Sequence, residues 1–288
     1  MGGQEMQVAL IVWRESVEAL LVIGILDAWL RNAGSDARQR GRRILWLGAT
    51  IGILLAVALA GVFVAIANSL EGDEEAWFRT GMVLVAAVLI IQVVLWMRAH
   101  GAALRDTLGM KMRDSAARAS WLGVFLLAAI AVAREGSETV IFVYGILAAG
   151  GASANTATLA MALGAGFIAA GATFALIALG SRIVTWRTFF RVTEILLLLL
   201  ACSLVLSAAS DLIGLGVLPP LSGPLWDSSP ILDDFGPIGG LVAGLTGYRA
   251  KPEAILLIVF GAYWVFVVWR VLRPTQRRSG NGPSPAQG

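Results

Sequence analysis

The chain has 288 residues, of which 58% are hydrophobic and only 14% charged, with a formal net charge of +3 at pH 7. A soluble domain of this length carries about 25% charged residues, so the composition excludes a soluble globular fold. The apolar runs are continuous rather than alternating, which also excludes a transmembrane β-barrel.

The expected fold class is all-α, a polytopic membrane protein whose seven apolar runs each reach the roughly 20 residues a spanning helix needs. In chain order they cover about 6–30, 44–69, 78–98, 119–149, 155–180, 189–213 and 253–272. Span 1 is interrupted by Arg14, Glu15 and Glu18 and has no basic region before it, so it reads as an uncleaved helix and not a signal peptide. Span 2 carries Gly48, Gly52, Ala56 and Ala60 at four-residue spacing, a small-residue face that lets helix backbones approach closely. Span 3 contains Gln92 and ends in Trp96-Met97-Arg98. Span 4 is over-long and holds Arg134, Glu135 and Glu138, with Ser137, Thr139 and Tyr144 beside them. Span 5 repeats the small-residue face with Ala162, Gly166 and Ala170. Span 6 has Glu194 and Asp211 near its two ends. Residues 1–272 read as one transmembrane domain, followed by a Gly-, Pro- and Ser-rich tail, 273–288, expected to be disordered.

Charge sets the expected orientation. Arg31, Arg38, Arg40, Arg42 and Arg43 follow span 1; Arg98, Arg105, Lys111, Arg113 and Arg118 follow span 3; Arg182, Arg187 and Arg191 follow span 5; Arg270, Arg273, Arg277 and Arg278 follow span 7. These are 17 of the 22 Lys and Arg, and the positive-inside rule assigns their side to the cytoplasm. The N-terminus is then outside and the C-terminus inside, which requires an odd number of spans. The outer side is acidic, with Glu71, Asp73, Glu74 and Glu75 in one loop and Asp227, Asp233 and Asp234 in the long segment 214–252. Such residues form either a solvated loop face or a vestibule that concentrates cations.

Arg14-Glu15-Ser16-Val17-Glu18 and Arg134-Glu135-Gly136-Ser137-Glu138 repeat one Arg-Glu-x-x-Glu pattern on spans 1 and 4. A charge near the bilayer centre costs at least a few kcal/mol, so such residues are rare and mark ion or proton pathways. Three spans separate the copies, so the two helices cross in opposite directions. That is a 3+3 inverted repeat, halves about 6–98 and 119–213, with span 7 added, an arrangement in which transporter sites lie at the repeat interface.

Residues three apart share a helix face, so Glu15 pairs with Glu18 and Glu135 with Glu138. All four glutamates are expected near the membrane midplane, as oxygen ligands for a hard cation. The lone Cys202 and the lone His100 leave no cysteine or histidine cluster to compete with them. Arg14 and Arg134, each one turn before the second glutamate, are placed to pair with it when no ion is bound. Buried ion pairs that only lock helices, and a proton relay, are the alternative readings. Ser137, Tyr144 and Gln92 are weaker candidates for lining a path.

These motifs resemble those of the high-affinity iron permease family, which includes fungal oxidase-coupled iron permeases and bacterial ferrous-iron permeases. The resemblance covers nearly the whole chain and extends to Trp96-Met97-Arg98, Leu225-Trp226-Asp227-Ser228-Ser229 and Gly247-Tyr248-Arg249-Ala250-Lys251-Pro252. The Gly-Leu pair frequent within the family's motif is Ser16-Val17 in one copy and Gly136-Ser137 in the other. The resemblance implies a multi-pass cell-membrane permease, not an enzyme, in which Glu15, Glu18, Glu135 and Glu138 handle iron in transit. Iron is then a transported substrate and no cofactor is expected. It also implies an extracytoplasmic iron-binding protein, a peroxidase or a multicopper oxidase as partner, with a homo-oligomer open and no nucleic acid. Lead or manganese as cargo, and a metal-binding subunit that does not itself transport, are the competing readings.

Overall fold

The computed structural model describes residues 2–31, 35–100, 121–150, 155–180, 186–219, 221–234 and 236–272. The loop cations Arg105, Lys111, Arg113, Arg118 and Arg182, the first two residues of span 4 and the tail 273–288 lie outside the described residues.

Among the described residues there are eight helices and no strand: α1 (Gly3–Arg31), α2 (Ser35–Ser69), α3 (Asp73–His100), α4 (Trp121–Ala149), α5 (Thr156–Ala178), α6 (Trp186–Gly214), α7 (Pro237–Thr246) and α8 (Ala254–Leu272). The fold is all-helical, as the apolar runs imply. Several helices outrun those runs because charged turns extend them beyond the apolar stretch. α2 begins in the arginine-rich segment before residue 44, and α3 opens on Asp73, Glu74 and Glu75, whose charges favour a helix N-terminus.

Four stretches, 38–69, 73–98, 156–178 and 188–214, are long and apolar enough to cross a membrane, and Ala254–Arg270 is a shorter apolar helix. α1 and α4, each 29 residues, have the length but carry the motif charges. The largest apolar core joins α1, α3, α4 and α6, through Val8, Ile11, Ile90, Phe142, Ile146 and Leu204. α8 joins it through Leu256, Tyr263 and Val267 and α5 through Ala162, while α2, α5 and α8 also turn apolar side chains outward. Ile168 and Val265 are 76% and 72% exposed, an arrangement that suits contact with lipid and not with water.

Two helix pairs run antiparallel. Gln4 at the start of α1 donates to Ile146 O at the end of α4, 3.0 Å away, while Ile23 and Leu26 near the other end pack with Val124 and Ala128. In α3 and α6, Arg79 pairs with Asp211 at one end (3.6 Å) and Arg98 with Glu194 at the other.

The small-residue faces explain the remaining contacts. α2 packs on α4 and α5 packs on α1. A Cβ on Gly52 would come within 2.9 Å of Ala129 O and 2.8 Å of Val132 Cβ; one on Gly166 would come within 2.8 Å of both Ala9 O and Val12 Cβ. Ala129 and Val132 stand to α4 as Ala9 and Val12 stand to α1, at the same sequence offset that relates Glu135 to Glu15.

The short α7 interrupts the segment read from sequence as a connection. Its signals were present: Gly236 caps it in an extended conformation, Pro237 opens it, and Gly247 closes it at φ 76° with its N–H on Ala243 O at 2.8 Å. α7 rests on the start of α1, where the Gln7 amide donates to Gly244 O, and on α6, where the Ser203 hydroxyl donates to Ala243 O at 3.3 Å. A side chain on Gly3 would collide with the Gly240 carbonyl, so glycine is required at that crossing.

Gly52→Val drives a branched side chain into the α4 backbone, and overpacking of this kind costs about 1–3 kcal/mol. Thermal unfolding in detergent should shift down for Gly52→Val and stay unchanged for Gly61→Val, where a Cβ meets nothing within 4 Å.

Candidate metal site

Where α1 crosses α4, one carboxylate oxygen from each of Glu15, Glu18 and Glu135 lies within 4.8 Å of the other two. Oxygens on opposite sides of one cation, at metal–oxygen distances of 2.0–2.6 Å, are about 4–5 Å apart, so the three enclose a space of single-ion size. Glu15 is 1% and Glu135 8% exposed. Glu15 Oε2 and Glu135 Oε2 are buried and accept no hydrogen bond, whereas Glu18 Oε1 faces the Arg14 guanidinium. Buried carboxylate oxygens without a donor are costly, and a set of three such groups this close can hold a metal ion.

A guanidinium occupies the edge of the cluster. Arg14, 1% exposed, pairs with Glu15 through one terminal nitrogen and lies 2.6 Å from Glu18 Oε1 through the other. That second nitrogen also donates to Met97 Sδ of α3, 3.0 Å away. The sequence spacing anticipated the Arg14–Glu18 pair; it did not anticipate that Arg14 also holds Glu15 and reaches a third helix.

The second motif is built differently. The Arg134 Nε donates to Glu138 Oε1 at 3.0 Å; of the four glutamates expected to converge, Glu15, Glu18 and Glu135 meet within 4.8 Å, and Glu138 is held in this neighbouring pair. The Arg134 side chain is 52% exposed and lies over the Trp96 ring, 5.5 Å from its centroid, within cation–π range. It opens onto a cleft between α2 and α4 lined by Leu55, Ala56, Leu59, Ile130, Ala133 and Ser137. Ser137 therefore borders the site, with its hydroxyl donating to Arg134 O at 2.8 Å. On the other half Trp13 stands where Ala133 does, and its indole N–H donates to Thr173 of α5 at 2.9 Å while its ring meets Phe189 edge-on.

The other candidate residues lie elsewhere. Gln92 is exposed on α3. Tyr144 sits between Phe63 and Phe78, with centroids 5.6 and 5.9 Å away, more than two helical turns from Glu135. Glu71, Asp73, Glu74 and Glu75 are exposed around the N-terminus of α3. Met97, which meets Arg14, was not singled out as a site residue. The only signal for Met97 was its place in Trp96-Met97-Arg98, a stretch in which each side chain holds a different partner: Arg134, Arg14 and Glu194.

The two loop segments that drew notice in the sequence bind each other. Ser228 N–H donates to Ala250 O at 2.9 Å, Leu225 N–H donates to Pro252 O at 2.9 Å, and Tyr248 bridges Ser228 Oγ (2.6 Å) and Leu232 O (3.0 Å). The Ser229 hydroxyl and N–H on Asp227, at 2.5 and 3.0 Å, hold its exposed carboxyl down at about 2, aided by Lys251 at 3.0 Å.

A family model described as the iron permease FTR1 family matches residues 5–272. A ferrous iron permease EfeU of Escherichia coli O157:H7 is 28% identical over 273 residues, 89% of this chain and 91% of its own. An uncharacterized protein of Archaeoglobus fulgidus is 28% identical over 257 residues, 86% of this chain and 88% of its own. An iron permease EfeU of Bacillus subtilis is 33% identical over 144 residues, covering 48% of this chain and 29% of its own. No solved structure matches the chain.

The different settings of the two arginines predict different costs of removal. Arg14→Leu strands buried carboxylates and should cost about 3–5 kcal/mol. Arg134→Leu removes a half-exposed partner and should cost no more than about 1 kcal/mol. Chemical denaturation of the two variants in micelles measures the difference.

Proposed function

The chain belongs to the iron permease FTR1 family, and from that premise we propose that it imports iron across the cell membrane through the Glu15–Glu18–Glu135 cluster. The observation that carries this reading is the set of three close carboxylates from two helices, of which Glu15 and Glu135 are buried and each has an oxygen that no hydrogen bond satisfies. The relatives named as iron permeases support iron as the cargo. Iron is a substrate here, held in passing and released unchanged.

An arriving ion displaces the Arg14 guanidinium and takes over its carboxylates. Charge is then exchanged for charge, so Glu15 and Glu18 keep a cationic partner throughout. Glu138, held at the edge by Arg134, is the next carboxylate on the way, and the cleft beside Arg134 and Ser137 is the open approach. Glu15, Glu18 and Glu135 form one site, with Glu138 as a neighbouring step. The exposed acidic residues Glu71, Asp73, Glu74 and Glu75 raise the local cation concentration without binding the ion in transit.

In this reading α1–α6 and α8 are the seven spans, the N-terminus is outside, and residues 215–253, including α7, form an external cover able to dock an iron-delivering partner. The antiparallel α1/α4 and α3/α6 pairs support an inverted repeat, and so do the matched contacts of Gly52 and Gly166 at the offset that relates the two motifs.

Glu15→Gln and Glu135→Gln should each lower iron accumulation by purified protein in proteoliposomes at least tenfold, with Glu71→Gln near wild type. Uptake unchanged in both variants overturns the site. Iron binding without accumulation in the wild type would instead favour a non-transporting metal-binding subunit. For orientation, a cysteine at position 229 should react with an impermeant maleimide on intact cells, and one at position 276 only after permeabilisation.

A further inference from the structure

Arg14 does more than neutralise glutamates: its guanidinium marks where a cation sits. One terminal nitrogen meets the Glu15 carboxylate. The other lies between Glu18 Oε1 at 2.6 Å and Met97 Sδ at 3.0 Å. A thioether is a weak acceptor, so its lone pair faces a buried positive charge in a place where oxygens would be the ordinary partners. A Glu135 carboxylate oxygen lies in the same cluster, within 4.8 Å of oxygens of the other two. Whatever cation replaces the guanidinium inherits Glu15, Glu18 and one sulfur, with Glu135 as the third carboxylate beside them.

We propose that Met97 is a ligand of the transported ion and sets its selectivity, giving an O,O,O,S donor set that favours ferrous iron and its softer neighbours over Mg2+ and Ca2+. This rests on the transport reading above and deepens it. Carboxylates alone bind hard divalent ions readily, and Mg2+ and Ca2+ are the competitors such a site must reject. A thioether adds no charge, gives hard ions little, and contributes to borderline and soft ones. The sulfur is held in place from both sides. Trp96 lies under Arg134, and Arg98 is tied to Glu194 of α6, so the last turns of α3 present Met97 to Arg14 in a fixed setting. α3 thereby contributes to a site that the glutamate motifs alone assign to α1 and α4.

The test uses the full chain in proteoliposomes, as wild type, Met97→Leu and Met97→Cys, with Fe2+ kept reduced and Ca2+ or Mg2+ as competitor. Leu preserves volume to within a small packing cost and removes the sulfur; Cys restores a sulfur donor. The concentration of Ca2+ that halves Fe2+ uptake should fall at least tenfold in Met97→Leu and recover at least in part in Met97→Cys. X-ray absorption of the Fe2+-loaded wild type should contain a sulfur shell that Met97→Leu lacks. Unchanged competition in Met97→Leu, together with a wild-type spectrum of oxygen and nitrogen shells only, overturns the proposal. If the wild type moves no iron, the transport reading fails, and the sulfur shell still decides whether Met97 is a ligand.

Discussion

Two carboxylates paired with one guanidinium, and a third beside them, in a low-dielectric interior form the arrangement on which the rest of this structure depends. Isolated buried charges are prohibitively costly, and a buried pair is tolerated only when its geometry and hydrogen bonding are nearly complete. Here they are deliberately incomplete: Arg14 satisfies part of Glu15 and Glu18, and nothing donates to Glu135 Oε2. The cluster can persist because four other helices enclose the α1/α4 crossing. α2 and α5 close on it through glycine and alanine faces, and α3 and α6 are fastened to each other at both ends by ion pairs.

Much of this was legible in the sequence because the membrane imposes simple rules. Apolar runs placed helices at nearly the positions observed. The Arg-Glu-x-x-Glu spacing put Arg14 one turn from Glu18, and the small-residue stripes identified the faces that meet, Gly52 on α4 and Gly166 on α1. What escaped is what depends on a third helix. The spacing that pairs Glu135 with Glu138 on one face says nothing about Arg134 drawing Glu138 aside. Met97 carries no charge and sits among apolar residues, so hydropathy reads it as filling. Excluding cysteine and histidine left oxygen as the apparent donor type, and a thioether brought in by packing lies outside that argument. α7 was passed over for a different reason. Its ten residues are too short to span and contain Gly239, Gly240 and Gly244, residues that weaken helices in isolation but permit the backbone contact with Gly3.

The two halves share a packing plan but not a chemistry. Gly52 and Gly166 meet equivalent atoms, yet Arg14 is enclosed and Arg134 is half-exposed. The residue before each arginine differs as well. Ala133 lines the open cleft between α2 and α4, whereas Trp13 on α1 is hydrogen-bonded to Thr173 of α5. One arginine is enclosed, with Met97 among its partners, and the other borders an open cleft.

That inequality bears on how a transported ion would move. In an ideal inverted repeat the two halves exchange conformations, so each opening has an equally easy counterpart. In this chain the counterpart requires the Trp13–Thr173 hydrogen bond to break and a large ring to leave its contact with Phe189, while the Arg134 side asks only that a side chain already in the cleft swing from Glu138. In the transport reading proposed above, opening the α1 side would draw on the exchange of Arg14 for the ion, which changes the charges that hold α1 to its neighbours.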